Sequence, residues 1–140
     1  VRFHYLFSHT EADGGAHYTA MHGEAELQEN LVQMVLRDDH GKYYWNYLLL
    51  RAQSSGPWRE LALQAGLSES ELNAVKQRVE ADRATLIERE YARVAAQLDM
   101  SGIASPTFVW EGRTFHKLSM VDYFSGTSSS SGEETCSPSK

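Results

Sequence analysis

Apolar residues alternate through the first seven positions. Val1, Phe3, Tyr5 and Phe7 share one face, and Arg2, His4 and Leu6 share the other. A period of two predicts a β-strand. Residues 8–23 keep no period, contain Gly14-Gly15 and three histidines, and read as a loop of unusual length. From Glu24 the period lengthens. Leu27, Leu31, Met34 and Val35 recur at helical spacing, Glu24, Glu26 and Glu29 suit the positive N-terminal end, and His40-Gly41 closes the helix. A second helix carries Tyr44, Trp45, Leu48 and Leu49 as far as Ser54-Ser55-Gly56. Pro57 belongs at the first position of a short third helix ending at Gly66. Ser68 and Glu71 are spaced as a capping box, opening a helix with Leu72, Val75 and Val79 inward. Leu86, Ile87, Tyr91, Val94, Ala95 and Leu98 then form a long apolar stripe. Across the polar residues 80–83 the pattern allows one helix or two.

The period shortens again near the C-terminal end. Gly102-Ile103-Ala104-Ser105-Pro106-Thr107 leads into Phe108-Val109-Trp110 and, past Glu111-Gly112, into Thr114-Phe115. This predicts two short strands joined by a tight glycine turn, with proline at the mouth of the first, where its missing N–H does no harm. Val121, Tyr123 and Phe124 either begin a last helix or pack on the hairpin. Residues 125–140, rich in Ser, Gly, Thr and Glu, have almost nothing to bury and are expected to be disordered.

Composition narrows the class. A chain of 140 residues with 41% apolar and 23% charged residues suits one globular domain. A net charge of −6 argues against a nucleic-acid surface. No run approaches the roughly 18 apolar residues of a membrane helix. The start at Val1, without Met or a signal-like lead-in, suggests a processed protein or a fragment. Cys136 is the only cysteine, so no internal disulfide forms and no metal-cluster spacing exists. An inert tail thiol is the expected reading, with pairing to another chain or to a cysteine upstream of Val1 as the alternatives.

The Ser105-Pro106-Thr107-Phe108 step and its hairpin resemble the cis-proline loop of thioredoxin-fold proteins, in particular the DsbA-like thiol-disulfide oxidoreductases. Met21-His22-Gly23-Glu24-Ala25-Glu26-Leu27-Gln28-Glu29-Asn30-Leu31 is similar to that family's run into its first insertion helix, and Tyr44-Trp45-Asn46-Tyr47-Leu48 to its next. The resemblance covers residues 1–124, with a helical insertion at about 24–99. It implies an α/β fold: a thioredoxin-like sheet with an all-α insertion. It also implies that Ser105, Pro106 and Thr107 line a groove for an extended peptide or protein substrate, with Pro106 cis. The family is mostly extracytoplasmic, which favours a periplasmic or secreted setting. Its first strand, Cys-x-x-Cys pair and active-site helix would precede Val1. Without that central strand, the first strand and the hairpin would show unsatisfied edges. Residues before Val1 are the favoured source; a partner chain supplying the strand or a rearranged fold are the alternatives.

Three functions follow as expectations. The first is part of a thiol-disulfide oxidoreductase whose thiols lie upstream. The second is a redox-inactive binding or structural module, and the third is a relative of the glutathione-dependent isomerases. Disulfide exchange needs a low-pKa thiolate and a resolving thiol, and residues 1–135 hold neither. No catalytic residue is therefore assigned within the chain, and no cofactor is expected. His17 and His22, with Glu24 and Glu26 nearby, match no zinc spacing and read as solvated loop side chains. His4 and His9 flank the end of the first strand and are expected to be structural or exposed. Asp38-Asp39 reads as a surface pair at a helix end. Tyr43, Tyr44, Trp45 and Tyr47 read mostly as core, with one or two facing a groove.

Overall fold

A computed structural model describes residues 2–98, 100, 107–110 and 113–116 of the chain. The chain divides into two compact units, Val1–Gln97 and Leu98–Lys140, each described here by itself. In the first unit two strands, β1 (Ser8–Ala12) and β2 (Gly15–Thr19), precede five helices. These are α1 (Glu24–Asp39), α2 (Gly41–Gln53), α3 (Trp58–Ala65), α4 (Glu69–Ala81) and α5 (Arg83–Ala95). The second unit contains β3 (Thr107–Trp110) and β4 (Arg113–His116).

The helical body is organised around α1. Leu27, Leu31, Val32, Met34, Val35 and Leu36 are all buried, on more than one face of the helix. That follows from its position, because α1 packs against α2, α4 and α5. Tyr44 and Tyr47 from α2, Leu61, Ala62 and Ala65 from α3, and Leu72, Val75 and Val79 from α4 complete the core with Leu86 and Ile87 from α5. The Ser68–Glu71 capping box forms in full: Ser68 Oγ accepts from the Glu71 N–H at 3.2 Å, and the Glu71 carboxylate accepts from the Ser68 N–H at 2.7 Å. Gly66 ends α3 at φ +117°, in the left-handed region, and a Cβ there would stand 3.0 Å from the Tyr43 ring. The polar gap at 80–83 resolves into two helices broken at Asp82. Pro57 lies one position earlier than expected, as the residue preceding α3.

Two expectations for the N-terminal region need correction. Residues 8–23 are not a structureless loop: β1 and β2 pair antiparallel, with Ser8 opposite Thr19 and Ala12 opposite Gly15. The linking residues Asp13-Gly14 are a favoured two-residue hairpin turn, and Gly14 takes the required positive φ, 110°. Residues 2–7, in turn, belong to no ladder among the described residues. Their alternation is real even so: Phe3 lies against Trp45, Tyr5 packs on the core and Phe7 is buried within it.

In the second unit β3 and β4 pair antiparallel across Glu111-Gly112, Thr107 facing His116 and Trp110 facing Arg113. This hairpin matches the sequence expectation. The described residues are thus mostly helical α/β, with two two-stranded antiparallel sheets rather than one larger sheet. None of their helices is long and apolar enough to cross a membrane.

Candidate functional site

The position that breaks the apolar pattern of α5 is Glu90. It stands on the same stripe as Leu86, Ile87 and Val94, is 1% exposed, and is the buried charged residue among those described. A carboxylate there survives only if its lone pairs are used. They are. Arg37, near the end of α1, grips it with two parallel bonds, Nη1 to Oε1 at 2.8 Å and Nη2 to Oε2 at 3.0 Å. The Tyr5 backbone N–H donates to Oε1 at 3.0 Å, and His4 Nδ1 lies 3.1 Å from the same oxygen. Since an ionised carboxylate only accepts, His4 Nδ1 carries the proton.

Burial pushes the Glu90 carboxyl upward, but the hydrogen bonds and charge of Arg37, then the Tyr5 N–H and His4, outweigh it. Glu90 is held below the ordinary carboxylate range. Arg37 is shifted up: burial works against its charge, and Glu90 and Asp38 more than compensate. A carboxylate so saturated is a poor general acid or base. What it does well is hold backbone.

The geometry shows how. Arg37 Nη1 also donates to the Phe3 carbonyl at 2.8 Å. The paired side chains therefore take the carbonyl of residue 3 and the N–H of residue 5. In a parallel ladder one residue of the neighbouring strand makes those two bonds around residue 4. Arg37 and Glu90 thus offer the backbone on either side of His4 the two bonds that a neighbouring strand would make.

The clamp extends along α1. Arg37 Nε and Arg2 Nη2 converge on Asp38 Oδ1 at 2.9 and 3.2 Å. The Tyr5 hydroxyl donates to Gln33 Oε1 at 2.8 Å and accepts from Tyr44 at 2.6 Å. Gln33 Nε2 donates to Glu29 Oε1 at 2.8 Å, and Glu29 receives the Tyr47 hydroxyl and two Arg51 donors. Arg51 Nη1 reaches the Gly56 carbonyl at 2.7 Å, tying down the turn after α2. Glu29, Gln33 and Arg37 stand four residues apart, so one face of α1 carries a continuous polar seam. Burial raises the hydroxyls of Tyr5, Tyr44 and Tyr47 above the ordinary tyrosine value. On the next residue of α5, Tyr91 packs against His9 of β1 and Tyr18 of β2, at 5.6 and 5.5 Å between ring centroids. One helix therefore seats both the N-terminal segment and the hairpin that follows it.

The residues singled out by sequence fare unevenly. Ser105 and Pro106, and the expected cis bond, lie outside the described residues, as do Cys136, the segment with Val121, Tyr123 and Phe124, and the tail. Thr107 opens β3 opposite His116. His22 is tied to Glu26, Nδ1 to Oε2 at 3.0 Å, while His17 faces Thr10 across the hairpin. Among the described residues no three metal-ligating side chains converge. Asp38 is engaged by two arginines and Asp39 by Arg78, both oxygens of which accept from Nη1. Tyr44 and Tyr47 are core, while Trp45 is half exposed. Sequence reasoning missed Arg37 and Glu90. The available signal was a glutamate at a position where the stripe of α5 calls for an apolar side chain.

Comparison with protein-family models, with curated proteins and with solved structures gives no match.

Proposed function

We propose that this chain is the helical and peptide-gripping part of a DsbA-like thiol-disulfide oxidoreductase, the reacting thiols being supplied from outside residues 1–135. The observation that supports this reading best is the order of parts. An N-terminal segment of alternating apolar residues and the β1–β2 hairpin precede a five-helix body, and the strand hairpin β3–β4 begins directly after Ser105-Pro106. In this reading Ser105, Pro106 and Thr107 line a groove for an extended peptide. Proline offers no N–H of its own, which leaves neighbouring backbone groups to pair with a passing strand. Transfer of a disulfide then requires a thiolate opposite the loop and a second thiol to resolve the mixed disulfide.

The lone Cys136 favours a second reading, a redox-inactive thioredoxin-fold module that binds a peptide without reacting with it. Insulin reduction separates the two. The first reading expects a Cys-x-x-Cys about 20–40 residues before Val1 in the coding sequence, the span of a βα unit. It also expects the protein extended to include that pair to reduce insulin, while the present chain stays at the buffer rate. An upstream sequence without the pair, or an extended protein that is inert, overturns it.

A further inference from the structure

The β1–β2 hairpin is joined to the helices by rings alone. Phe7 before it and Ala20 after it are buried, so both ends of residues 8–19 are anchored. Between those anchors every residue is exposed except His9 and Tyr18. These two stand opposite each other across the ladder, and both rings meet Tyr91 of α5. Ring centroids are 5.0 Å apart for His9 and Tyr18, 5.6 Å for His9 and Tyr91, and 5.5 Å for Tyr18 and Tyr91. Tyr18 and Tyr91 also rest on the edge of the core. Among the described residues no hydrogen bond or ion pair ties residues 8–19 to a helix. A two-stranded hairpin with so little burial belongs to the low-stability end of a fold, where local opening costs least.

We infer that the hairpin is a pH-responsive arm, latched on α5 by the His9–Tyr18–Tyr91 cluster and held more firmly when His9 is protonated. One of the three latching rings is an imidazole, the side chain whose charge changes nearest neutral pH. Neutral, it contributes ring packing only. Protonated, it sets a cation within about 6 Å of two tyrosine rings, the range over which an aromatic face attracts positive charge. The titratable and charged groups around it are few. They are the Tyr18 hydroxyl from β2, the Tyr91 hydroxyl from α5 and two exposed carboxylates. Of these, Glu11 lies two residues along the same face of β1, and Glu88 one turn before Tyr91 on α5. Neither carboxylate forms an ion pair with His9, so the added hold comes from the two rings. Release of the arm at higher pH uncovers Tyr91 and the seat of Tyr18 on the core. This inference stands on the ring cluster and survives if the oxidoreductase reading fails.

The test is a distance measurement by pulsed electron spin resonance on the full chain. Spin labels are placed at Ala12→Cys, exposed at the end of β1, and at Ala84→Cys, exposed in the first turn of α5, in a Cys136→Ser background. A latched arm gives a narrow distance distribution and a released arm a broad one. The ratio of narrow to broad should be about two- to fivefold higher at about pH 5 than at about pH 8, the gain from one exposed cation–π contact. His9→Phe keeps a ring in the latch without the charge, so its ratio should not change with pH. Tyr91→Ala should broaden the distribution at both pH values. A parent ratio that does not move with pH would overturn the inference. So would a response that persists in His9→Phe, or an arm that stays narrow in Tyr91→Ala. Should Tyr91→Ala lose its helices by circular dichroism, the parent and His9→Phe comparison decides alone.

Discussion

Replacing Glu90 by Gln keeps the volume of the side chain and removes its charge. Four hydrogen bonds converge on the carboxylate, two from Arg37 and one each from the Tyr5 N–H and His4. The amide has a single acceptor oxygen, and its NH2 must face a donor whichever way it turns. Breaking a buried pair by removing one partner costs about 3–5 kcal/mol. Arg37 retains Asp38 and the Phe3 carbonyl, which places the expected loss at the lower end, about 3 kcal/mol. At about 4–8 °C per kcal/mol for a body of this size, Tm should fall by roughly 12–24 °C. Urea unfolding followed by far-ultraviolet circular dichroism gives the free energy. Glu80→Gln serves as control, since that residue forms only an exposed pair with Lys76 at 3.8 Å and should cost under about 1 kcal/mol. The effect of Glu90 is also pH-dependent. Its carboxyl titrates below the ordinary value of about 4.3 in the folded state. The stabilisation is therefore complete above that pH and fades as the pH falls through the folded-state value. The gap between wild type and Glu90→Gln should close below about pH 4. A variant within about 1 kcal/mol of wild type at neutral pH, or a gap that widens in acid, would refute the clamp.

Other parts of the account can be checked independently. Ser68→Ala removes the side-chain half of the capping box on α4 and should cost about 1 kcal/mol in the same urea assay. Gly66→Ala must place a Cβ 3.0 Å from the Tyr43 ring at a positive φ, and should destabilise by at least about 1 kcal/mol. In an alkaline titration followed by ultraviolet absorbance, Tyr5, Tyr44 and Tyr47 should ionise only as the helices melt, above the ordinary tyrosine value of about 10. Their contribution to stability is complete below that pH and is lost as the pH rises through their raised folded-state values. Phenylalanine variants of these three that leave the alkaline absorbance change unaltered while the helices are still intact would support the buried seam, and a loss of that change would contradict it.

The helical body was legible because its signals are local. The Ser68–Glu71 spacing, the Leu72-Val75-Val79 stripe and Gly66 each lie within one or two turns of the feature they specify. The β3–β4 hairpin was equally plain from its aromatic and β-branched residues around Glu111-Gly112. The first hairpin was hidden, since Thr10, Glu11, Ala16 and His17 alternate too weakly to mark a half-buried strand, although Asp13-Gly14 was a usable turn signal. Residues 2–7 misled in the opposite sense. Their alternation was correct, but the partner on the paired edge is two side chains from α1 and α5, 53 positions apart in sequence. Nothing in a periodic pattern reports such a pairing. The candidate groove at Ser105, Pro106 and Thr107 was legible only through the family resemblance. Of the three, Thr107 lies within the described residues.

The proposed role in gripping peptides is tested most directly by titrating the isotope-labelled chain with an unstructured peptide while following backbone resonances. The account predicts that Ser105 and Thr107 shift with the added peptide, and that Pro106→Ala weakens binding by about tenfold or more, about 1.4 kcal/mol, with the helical body unchanged. Shifts that bypass these residues, or an affinity that Pro106→Ala leaves intact, would contradict it.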